Sequence, residues 1–515
     1  MSMFGRNMKT LEYVNPAPPV PKFTLTEQQE AICERITGSS FKVVARAGSA
    51  KTDTMKYAVP KICVVEPNSP ILICSFSNAI TDDIKKAFNS LGYRNIAVST
   101  IHSDAMDTLR KLKVRYKLSK YKGTEVSEQI IDNFPSIPYK NKFSCITQSA
   151  RAVSMHKLTS EDPLFETDVT DTILEYGFLP AGLEPELFFD YVNAVYVEDL
   201  KQAERGIMNF DDVIIYATHF ATIKNYKKYQ TIVVDEAQDS NLAQLLYFKS
   251  LKADRYVLTF DPFQRIYSFN GAVKSVDKIA RDLYGIEDYL KLSYSFRCPH
   301  AISAHIREFY VKDFHSFPLN KEGNIVHAET LDFLNLVQDQ EECFVLARAN
   351  STLLEYFLKC LKNNIPAVLE KTNLDTVVKN IYKDCSNKGI SIDQRLSNRL
   401  AEIHKAPYSE FRRQIFLRAE TDNHTSAELL FKFIDQPTYA AAANKVDQFF
   451  KDAERGENKI SFCTMHRSKG RQRKNGFLLP YKIKSEDEEE TINIPYVGWS
   501  RFTDTIYSLT DSEES

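Results

Sequence analysis

Lys51 and Thr52 end a segment of small residues, residues 45–52 (ARAGSAKT), that follows a short apolar run. The pattern predicts a phosphate-binding loop between a buried strand and a helix, with backbone N–H groups around Gly48 directed at nucleotide phosphates. In such a loop Lys51 reaches the β- and γ-phosphates, and the Thr52 hydroxyl is a ligand for a metal ion.

Asp235 and Glu236 belong to a second segment, residues 231–239 (TIVVDEAQD), where they directly follow a strand-like apolar run. Such a run places both carboxylates at the carboxyl end of a buried strand. There Asp235 can hold Mg²⁺, and Glu236 can take a proton from an attacking water. The two segments in this order indicate a nucleoside triphosphatase.

Composition limits the classes of protein that fit. The chain has 515 residues, too many for one hydrophobic core, and its 43% hydrophobic and 26% charged residues are typical of globular domains. We find neither a secretory signal nor an apolar run long enough to span a bilayer. Nine cysteines without CxxC pairs favour buried thiols in a reducing, cytoplasmic compartment. With a formal net charge of −2, nucleic-acid binding requires local basic patches.

Short apolar runs recur along the chain, with helix-like segments between several of them. They cover residues 41–44, 71–74, 231–234, 256–259, 344–346, 459–463 and 476–479. This pattern predicts buried parallel strands in an α/β protein. Residues 103–205 and 373–458 are polar and helix-periodic, which predicts mainly helical insertions. Residues 1–22, Pro-rich near their end, predict a flexible leader.

In its sequence motifs the chain resembles the UvrD/Rep family of superfamily 1 helicases over nearly its whole length. The motifs that carry the resemblance are residues 24–30 (TLTEQQE), 75–78 (SFSN), 99–103 (STIHS), 209–212 (NFDD), 261–272 (DPFQRIYSFNGA), 293–298 (SYSFRC), 344–350 (FVLARAN), 464–470 (TMHRSKG) and 496–501 (YVGWSR). So many motifs in one order make the resemblance specific. It implies two RecA-like P-loop cores with parallel sheets and mainly helical inserted subdomains.

The resemblance also implies domain boundaries. The first core (1A) is expected at residues 23–102 and 206–290, around a 1B-like helical insertion at residues 103–205. The second core (2A) is expected at residues 291–372 and 459–515, around a reduced 2B-like helical insertion at residues 373–458.

By resemblance, a site for ATP and Mg²⁺ uses residues from both cores. Glu236 is expected to be the general base, and Gln264 to sense the γ-phosphate. Lys51, Arg297 and Arg501 are expected to neutralise phosphate charge, and Thr52 and Asp235 to hold Mg²⁺. The residues expected to bind ATP are Gln28, which would read the adenine edge, Ala47, Gly48, Ser49, Ala50, Lys51, Thr52 and Gln472.

The resemblance further implies a track for single-stranded DNA across both cores and movement in the 3′-to-5′ direction. Stacking of bases on aromatic side chains tolerates any sequence, as a motor requires. The residues expected on the track are Phe76, Asn78, Thr100, His102, Tyr267, Phe269 and His466. Residues 110–122 (RKLKVRYKLSKYK) interleave basic with apolar and aromatic residues, which suits either DNA contact or a solvated helix face.

Two departures from the family pattern leave alternatives open. Ala50 replaces the glycine that usually precedes the lysine: its methyl group either crowds the phosphates or requires a costly positive φ, or alanine is tolerated near the helix start. Residues 471–474 (RQRK) replace the usual glutamate and aromatic residue. Gln472 can still hydrogen-bond a ribose hydroxyl, whereas the three basic residues either add phosphate affinity or form a solvated loop.

We therefore expect an ATP- and Mg²⁺-dependent DNA helicase or translocase. Its expected partners are single-stranded DNA, junctions of single- and double-stranded DNA, and replication or repair proteins, without a membrane. A compact, cytoplasmic version is expected, with a nucleoid-associated or phage-encoded protein as the alternative. Two rivals are a hydrolysis-deficient, helicase-like DNA-binding scaffold and an unrelated P-loop enzyme such as a small-molecule kinase.

Overall fold

The computed structural model describes residues 15–21, 23–75, 78–370, 460–481 and 489–511. It shows an α/β protein built on two six-stranded sheets with only parallel pairs between their strands, which confirms the predicted fold class. The second predicted insertion, residues 373–458, lies outside the described residues. Within the predicted leader, the Pro16 and Ala17 carbonyls accept hydrogen bonds from the Tyr93 hydroxyl, so this part lies against the first core.

The first half of the chain contains eight strands and eleven helices within its described residues. The strands are β1 (Phe41–Ala45), β2 (Ile71–Ser75), β3 (Ile96–Thr100), β4 (Lys117–Leu118), β5 (Ile207–Met208), β6 (Thr231–Val234), β7 (Arg255–Phe260) and β8 (Tyr289–Leu292). The helices are α1 (Glu27–Arg35), α2 (Lys51–Val65), α3 (Asn78–Leu91), α4 (Ile101–Lys111), α5 (Lys122–Ile131), α6 (Tyr139–Thr159), α7 (Thr170–Glu175), α8 (Pro185–Glu204), α9 (Phe210–Ile223), α10 (Leu242–Ser250) and α11 (Val276–Tyr284).

The first sheet has the order β3-β2-β6-β7-β1-β8. Alternate residues of one strand enter different hydrophobic clusters: Ile71 and Ile73 pack on one face of the sheet, and Leu72 and Cys74 on the other. Burial of both faces explains the continuous apolar runs in the sequence. Because all strands are parallel, their carboxyl ends share one edge, where the phosphate loop and the acidic pair both begin.

Helices α5 to α8 lie within the range predicted for the first insertion and share a hydrophobic cluster of their own. A buried ionic group joins these helices to α9 of the first core. Lys122 Nζ lies 2.8 Å from Asp212 and 3.1 Å from Asp199, and Lys157 Nζ lies 2.7 Å from Asp212 and also contacts Asp199. Since all four side chains are almost fully buried, each depends on its partners for charge compensation.

The second half of the chain begins at a short parallel pair and continues into the second sheet. The strands are β9 (Tyr294–Ser295), β10 (His315–Ser316), β11 (Asn324–Glu329), β12 (Cys343–Ala347), β13 (Ala367–Leu369), β14 (Ile460–Thr464), β15 (Arg473–Leu478) and β16 (Phe502–Thr510). The helices are α12 (His300–Phe309), α13 (Phe333–Gln338), α14 (Asn350–Lys362), α15 (Met465–Ser468) and α16 (Ile494–Trp499). The sheet order is β11-β16-β15-β12-β14-β13.

One hydrophobic cluster joins the two cores. Ala47 of the phosphate loop and Ile266 pack with second-core residues that include Phe344, Tyr496 and Phe502. Strand β8 pairs with β1, so the first sheet extends two residues beyond the boundary expected at residue 290. The two cores therefore share packed surface beside the phosphate loop.

Three further observations concern the residues that the structure describes. None of their helices has the length and apolar character needed to cross a membrane. The eight cysteines among them are free and buried. No group of three or more His, Cys, Asp and Glu side chains in these ranges could hold a metal ion by itself.

Candidate active site

The phosphate loop connects β1 to α2 through two residues with positive φ. Gly48 has φ 73°, and a side chain there would approach Arg297 Cβ and Ser295 Oγ to 2.7 Å, so only glycine fits. Ala50 has φ 58° and ψ 36° and is the N-cap residue of α2. Both sequence interpretations of Ala50 therefore hold in part: it lies at the helix start, and it adopts a left-handed conformation that costs about 1 kcal/mol.

Lys51 and Thr52 meet the acidic pair, Asp235 and Glu236, at the start of α2. The Thr52 hydroxyl donates to Asp235 Oδ2 at 3.0 Å, and the Thr259 hydroxyl donates to Asp235 Oδ1 at 2.6 Å. Lys51 Nζ lies 3.3 Å from Glu236 Oε1. Gln238 Nε2 donates to Glu236 Oε2 at 2.5 Å, and Glu236 itself has φ 55°. The acidic pair thus occupies a constrained turn that faces the phosphate loop.

The pKa values of the two carboxylates shift in opposite directions. Burial by itself raises the pKa of Glu236, but the positive charges of Lys51 and Lys469 outweigh burial and lower the pKa to about 2. Burial and the adjacent charge of Glu236 raise the pKa of Asp235. For Lys51, burial opposes the charged form, yet Glu236, Asp261 and Asp235 raise the pKa above its ordinary value. Lys51 and Glu236 are therefore both charged at neutral pH.

Gln264 is held below the loop by a buried hydrogen-bond chain. Its Nε2 donates to Asp261 Oδ2 at 2.8 Å, and the Tyr496 hydroxyl donates to the same oxygen at 2.8 Å. The hydroxyl of Tyr496 also accepts from the backbone N–H of Ala47 at 2.8 Å. Sequence reasoning missed Tyr496, although its motif, residues 496–501, was recognised.

The two predicted arginines come from the second half of the chain. Arg297 Nε donates to Gln472 Oε1 at 2.7 Å, and its Nη1 donates to the Ser500 carbonyl at 3.2 Å. Arg501 is 1% exposed, and its Nε donates to the Val497 carbonyl at 2.8 Å. Burial, and after it the charge of Arg297, lowers the pKa of Arg501 to about 9.

A cleft of ≈510 Å³ lies between the phosphate loop and the second core. Gly48, Ala50 and Asp53 line one wall, and Phe296 and Gln472 line the other. Phe296 was missed in the sequence, where the only signal was an aromatic residue directly before the arginine of residues 293–298. A larger cavity of ≈890 Å³ lies among α8, α9 and α10, and none of the residues predicted for catalysis lines it. Chemistry, rather than size, therefore selects the cleft.

Gln28 and Lys469 each make hydrogen bonds with residues that are distant in the sequence. Gln28 Nε2 donates to Ser293 Oγ at 2.9 Å, and Gln28 Oε1 accepts from the Ser293 N–H at 3.0 Å. Lys469 Nζ donates to Asp239 Oδ2 at 2.6 Å and to the Gln264 carbonyl at 2.7 Å. Lys469, a third residue missed by sequence reasoning, connects the loop of residues 464–470 directly to the acidic segment.

Three of the residues expected on a DNA track come together across the two cores. The Phe269 ring, which is 49% exposed, lies 5.9 Å from the Tyr267 ring and 6.3 Å from the His466 ring. The Tyr267 hydroxyl donates to the His466 carbonyl at 3.4 Å. Phe269 therefore presents an aromatic face to solvent where first-core and second-core residues meet.

Two of the remaining predicted track residues, Thr100 and His102, lie where β3 ends and α4 begins. Thr100 is the N-cap of α4, and the His102 ring lies 5.7 Å from the ring of Phe210, which is 40% exposed. Burial lowers the pKa of His102, although Asp211 opposes this change. Phe76 lies outside the described residues, and Asn78 begins α3.

The basic segments have partners that the sequence does not show. Within residues 110–122, Lys122 is fully buried in the ionic group described above, so neither alternative for this segment applies to it. Arg471 pairs with Glu370 and lies over the Phe344 ring, 4.8 Å from its centroid. Arg473 pairs with Glu342 at 2.9 Å. These two arginines are thus held by carboxylates of the second core.

Fold and cleft together define a P-loop protein in which an acidic pair in one RecA-like core faces arginines carried by another. A profile of the UvrD/REP helicase N-terminal domain matches residues 25–282, which is half of the chain. The chain therefore belongs to the UvrD/Rep helicase family. Arg297 and Arg501 lie beyond this match, so their assignment depends on the cleft that Arg297 lines and on the electrostatic contact of Arg501 with Arg297 and Glu236.

Individual relatives agree with this assignment. The chain is 26% identical over 264 residues to the ATP-dependent DNA helicase PcrA of Staphylococcus epidermidis, and 26% identical over 265 residues to the PcrA of Staphylococcus aureus. Each match covers 48% of this chain and 34% of the length of the relative. The chain thus spans well under half of the length of the curated relatives that it matches.

Proposed function

We propose that this protein is an ATP-dependent DNA motor that moves along single-stranded DNA in the 3′-to-5′ direction and couples ATP hydrolysis to strand separation. The observation that carries the proposal is that charged groups of both cores lie close enough to interact, since the charge of Glu236 acts on Arg297 and Arg501. Lys51 and Glu236 lie on the first core, whereas Arg297 and Arg501 lie on the second. ATP bound between them joins the cores, and hydrolysis releases this connection, which gives a translocase its two states.

The residues at the phosphate loop fit a magnesium nucleotide. Thr52 and Asp235 place a hydroxyl and a carboxylate oxygen 3.0 Å apart beside Lys51, and Mg²⁺ commonly uses few protein oxygens together with phosphates. Bound there, Mg²⁺ neutralises phosphate charge. Glu236 orients the attacking water and takes its proton, while Lys51, Arg297 and Arg501 stabilise charge that spreads over the phosphate oxygens. Gln264 senses the γ-phosphate from its site on Asp261.

The base and sugar of the nucleotide have candidate contacts on the same cleft. Phe296 offers a ring face, and Gln472 offers an amide to a ribose hydroxyl. Gln28 is assigned to the adenine edge, and its hydrogen bonds to Ser293 place it where the chain leaves the first core. Ala47, Gly48, Ser49 and Ala50 supply the loop backbone.

The DNA track is assigned to Phe269, Tyr267 and His466, together with Thr100, His102 and the segment that includes Phe76 and Asn78. Stacking on such rings is independent of sequence. The domain assignment follows the expected boundaries, with the end of the first core moved to Leu292. Junctions of single- and double-stranded DNA are the proposed substrates, replication or repair proteins the proposed partners, and the cytoplasm the proposed compartment.

The test of this function is ATP hydrolysis measured with Mg²⁺, with and without single-stranded DNA, alongside Lys51→Ala. We expect strong stimulation by DNA and its loss in the variant, because Lys51 supplies positive charge to the phosphates. Turnover that does not depend on DNA would instead favour the unrelated P-loop enzyme.

Replacement of Phe269 by Ala is expected to raise the DNA concentration for half-maximal ATPase about tenfold, since stacking contributes about 1–3 kcal/mol per base. The basal rate without DNA should not change. Phe309→Ala is the matched control, because Phe309 is a similarly exposed ring, 59% accessible, on α12. An equal shift in both variants, or no shift in Phe269→Ala, would return Phe269 to a packing role.

The second candidate is a helicase-like scaffold that binds DNA without hydrolysis. The positive φ of Ala50 favours it, because strain beside Lys51 is able to misplace the lysine. Salt-sensitive DNA binding without turnover would support this candidate. Recovery of turnover in Ala50→Gly would then show that the alanine is the cause.

A further inference from the structure

The chain passes from the first core to the second through residues 293–296, named here the crossover segment. It follows β8, whose last residue, Leu292, accepts a hydrogen bond from the N–H of Arg46 at 2.9 Å. The Phe296 N–H donates to the Gly48 carbonyl at 2.9 Å, and the pairing of β9 with β10 holds Tyr294 and Ser295. Any change in the angle between the cores must bend this segment.

Arg46 joins the two cores beside the crossover segment. Its side chain is 7% exposed, and its Nε and Nη2 donate to Asp313 Oδ1 at 2.9 and 2.6 Å, with a further bond from Nη2 to Oδ2 at 2.7 Å. Asp313 belongs to the second half of the chain and lies between Val311 and Phe314, which are both buried in the cluster that joins the two cores. This bidentate pair therefore connects the phosphate loop to the second core.

The guanidinium of Arg46 is held from its other sides as well. Its Nη1 donates to the Ala45 carbonyl at 2.9 Å and lies 3.7 Å from Asp261 Oδ1. Its plane lies over the Phe263 ring, 5.1 Å from the centroid. Lysine has no planar fork and cannot make this set of contacts. Asp261 in turn binds Gln264 and Tyr496, so Arg46 belongs to the support of the catalytic cleft.

We propose that Arg46 is a positioning residue that fixes the pivot between the two cores by holding Asp313 beside the crossover segment. With the pivot fixed, closure of the cleft is a rotation that brings Arg297 and Arg501 to the phosphates in one orientation. The role in turnover rests on the proposed function; the effect on the crossover segment does not.

Asp313→Asn tests the proposal, because the Asp313 side chain is 43% exposed and the substitution retains its shape. We expect kcat of the DNA-stimulated ATPase to fall about tenfold with KM for ATP unchanged, since the variant weakens a charge-assisted pair without touching the nucleotide. Asp313→Glu should restore most of the rate. Asp254→Asn is the matched control, because Asp254 pairs with Lys227 at 2.6 Å within the first core.

Amide hydrogen exchange provides a readout that does not need turnover. In Asp313→Asn, residues 293–296 should exchange about tenfold faster, while β6 at residues 231–234 should keep its rate. Unchanged exchange in the crossover segment would overturn the proposal, and faster exchange everywhere would reduce Arg46 to a general contribution to stability. If the unsubstituted protein hydrolyses no more ATP than Lys51→Ala, the proposed function fails, and exchange alone decides on Arg46.

Discussion

Replacement of Glu236 by Gln is expected to lower ATP turnover by about 10²- to 10⁴-fold, the usual contribution of a general base, while ATP binding is retained. The amide has the same shape, and its oxygen can still accept a hydrogen bond from either Gln238 or Lys51, so the turn should survive the substitution. It cannot accept the proton of the attacking water. Lys51 and Thr52, which bind the phosphates and the metal, are unchanged.

The electrostatics of the site give this prediction a physical basis. With a pKa of about 2, Glu236 carries no proton at neutral pH and is available as a base in every molecule. Its low pKa results from Lys51 and Lys469 in spite of burial. When phosphates share the charge of Lys51, this influence weakens, so the pKa of Glu236 should rise and its basicity should increase. The neighbouring Lys51 thus couples nucleotide binding to activation of the base.

Two measurements check the prediction: steady-state ATPase at saturating single-stranded DNA, and equilibrium binding of labelled ATP. Glu66→Gln is the matched control, because Glu66 is also ion-paired, to Arg255 at 2.8 Å, but lies at the amino end of the strands. Glu66→Gln should keep normal turnover. If Glu236→Gln keeps more than about a tenth of the normal rate, the general base lies elsewhere.

The sequence predicted interior strands much better than edge strands. Residues 231–234 coincide with β6, and residues 41–44 match β1 to within one residue. The apolar runs missed β3, β8, β11 and β13, which are the four edges of the two sheets, and they also missed one interior strand, β16. Strand β11 is largely exposed and half polar, β8 is exposed at alternate residues, and β13 has only three residues. Because partly solvated strands need no continuous apolar run, their sequences lack the signal.

In the candidate site, too, some residues could be predicted from local sequence and others could not. Lys51, Thr52, Asp235 and Glu236 were predicted because each lies next to a strand end, so local sequence determines its place. Contacts such as Arg46 with Asp313, separated by 267 residues, depend on how two cores pack. Local sequence carries no information about such a contact. Lys122 belongs to a basic segment in the sequence but is buried against Asp212 in the structure. This contact also depends on packing between distant parts of the chain.

Replacement of Arg297 by Ala is expected to lower kcat about 10³-fold, within reach of what a transition-state arginine contributes in other nucleotide hydrolases. The KM for ATP should change little, because the phosphate loop on the first core provides most ground-state contacts. Nε and Nη1 of Arg297 are held by Gln472 and Ser500. Among the described residues Nη2 has no hydrogen-bond partner, so it is available to a phosphate oxygen.

Steady-state ATPase of Arg297→Ala and Arg297→Lys measures this contribution. Lysine keeps the charge but lacks the planar fork, so it should restore only part of the rate. Arg307→Ala is the matched control, since Arg307 is an exposed arginine on α12 of the second core. If Arg297→Ala keeps kcat within about threefold of normal, then Arg501, buried beside it, carries the transition-state charge alone. The cleft would then close on one arginine, and Arg297 would serve to hold Gln472 against the nucleotide.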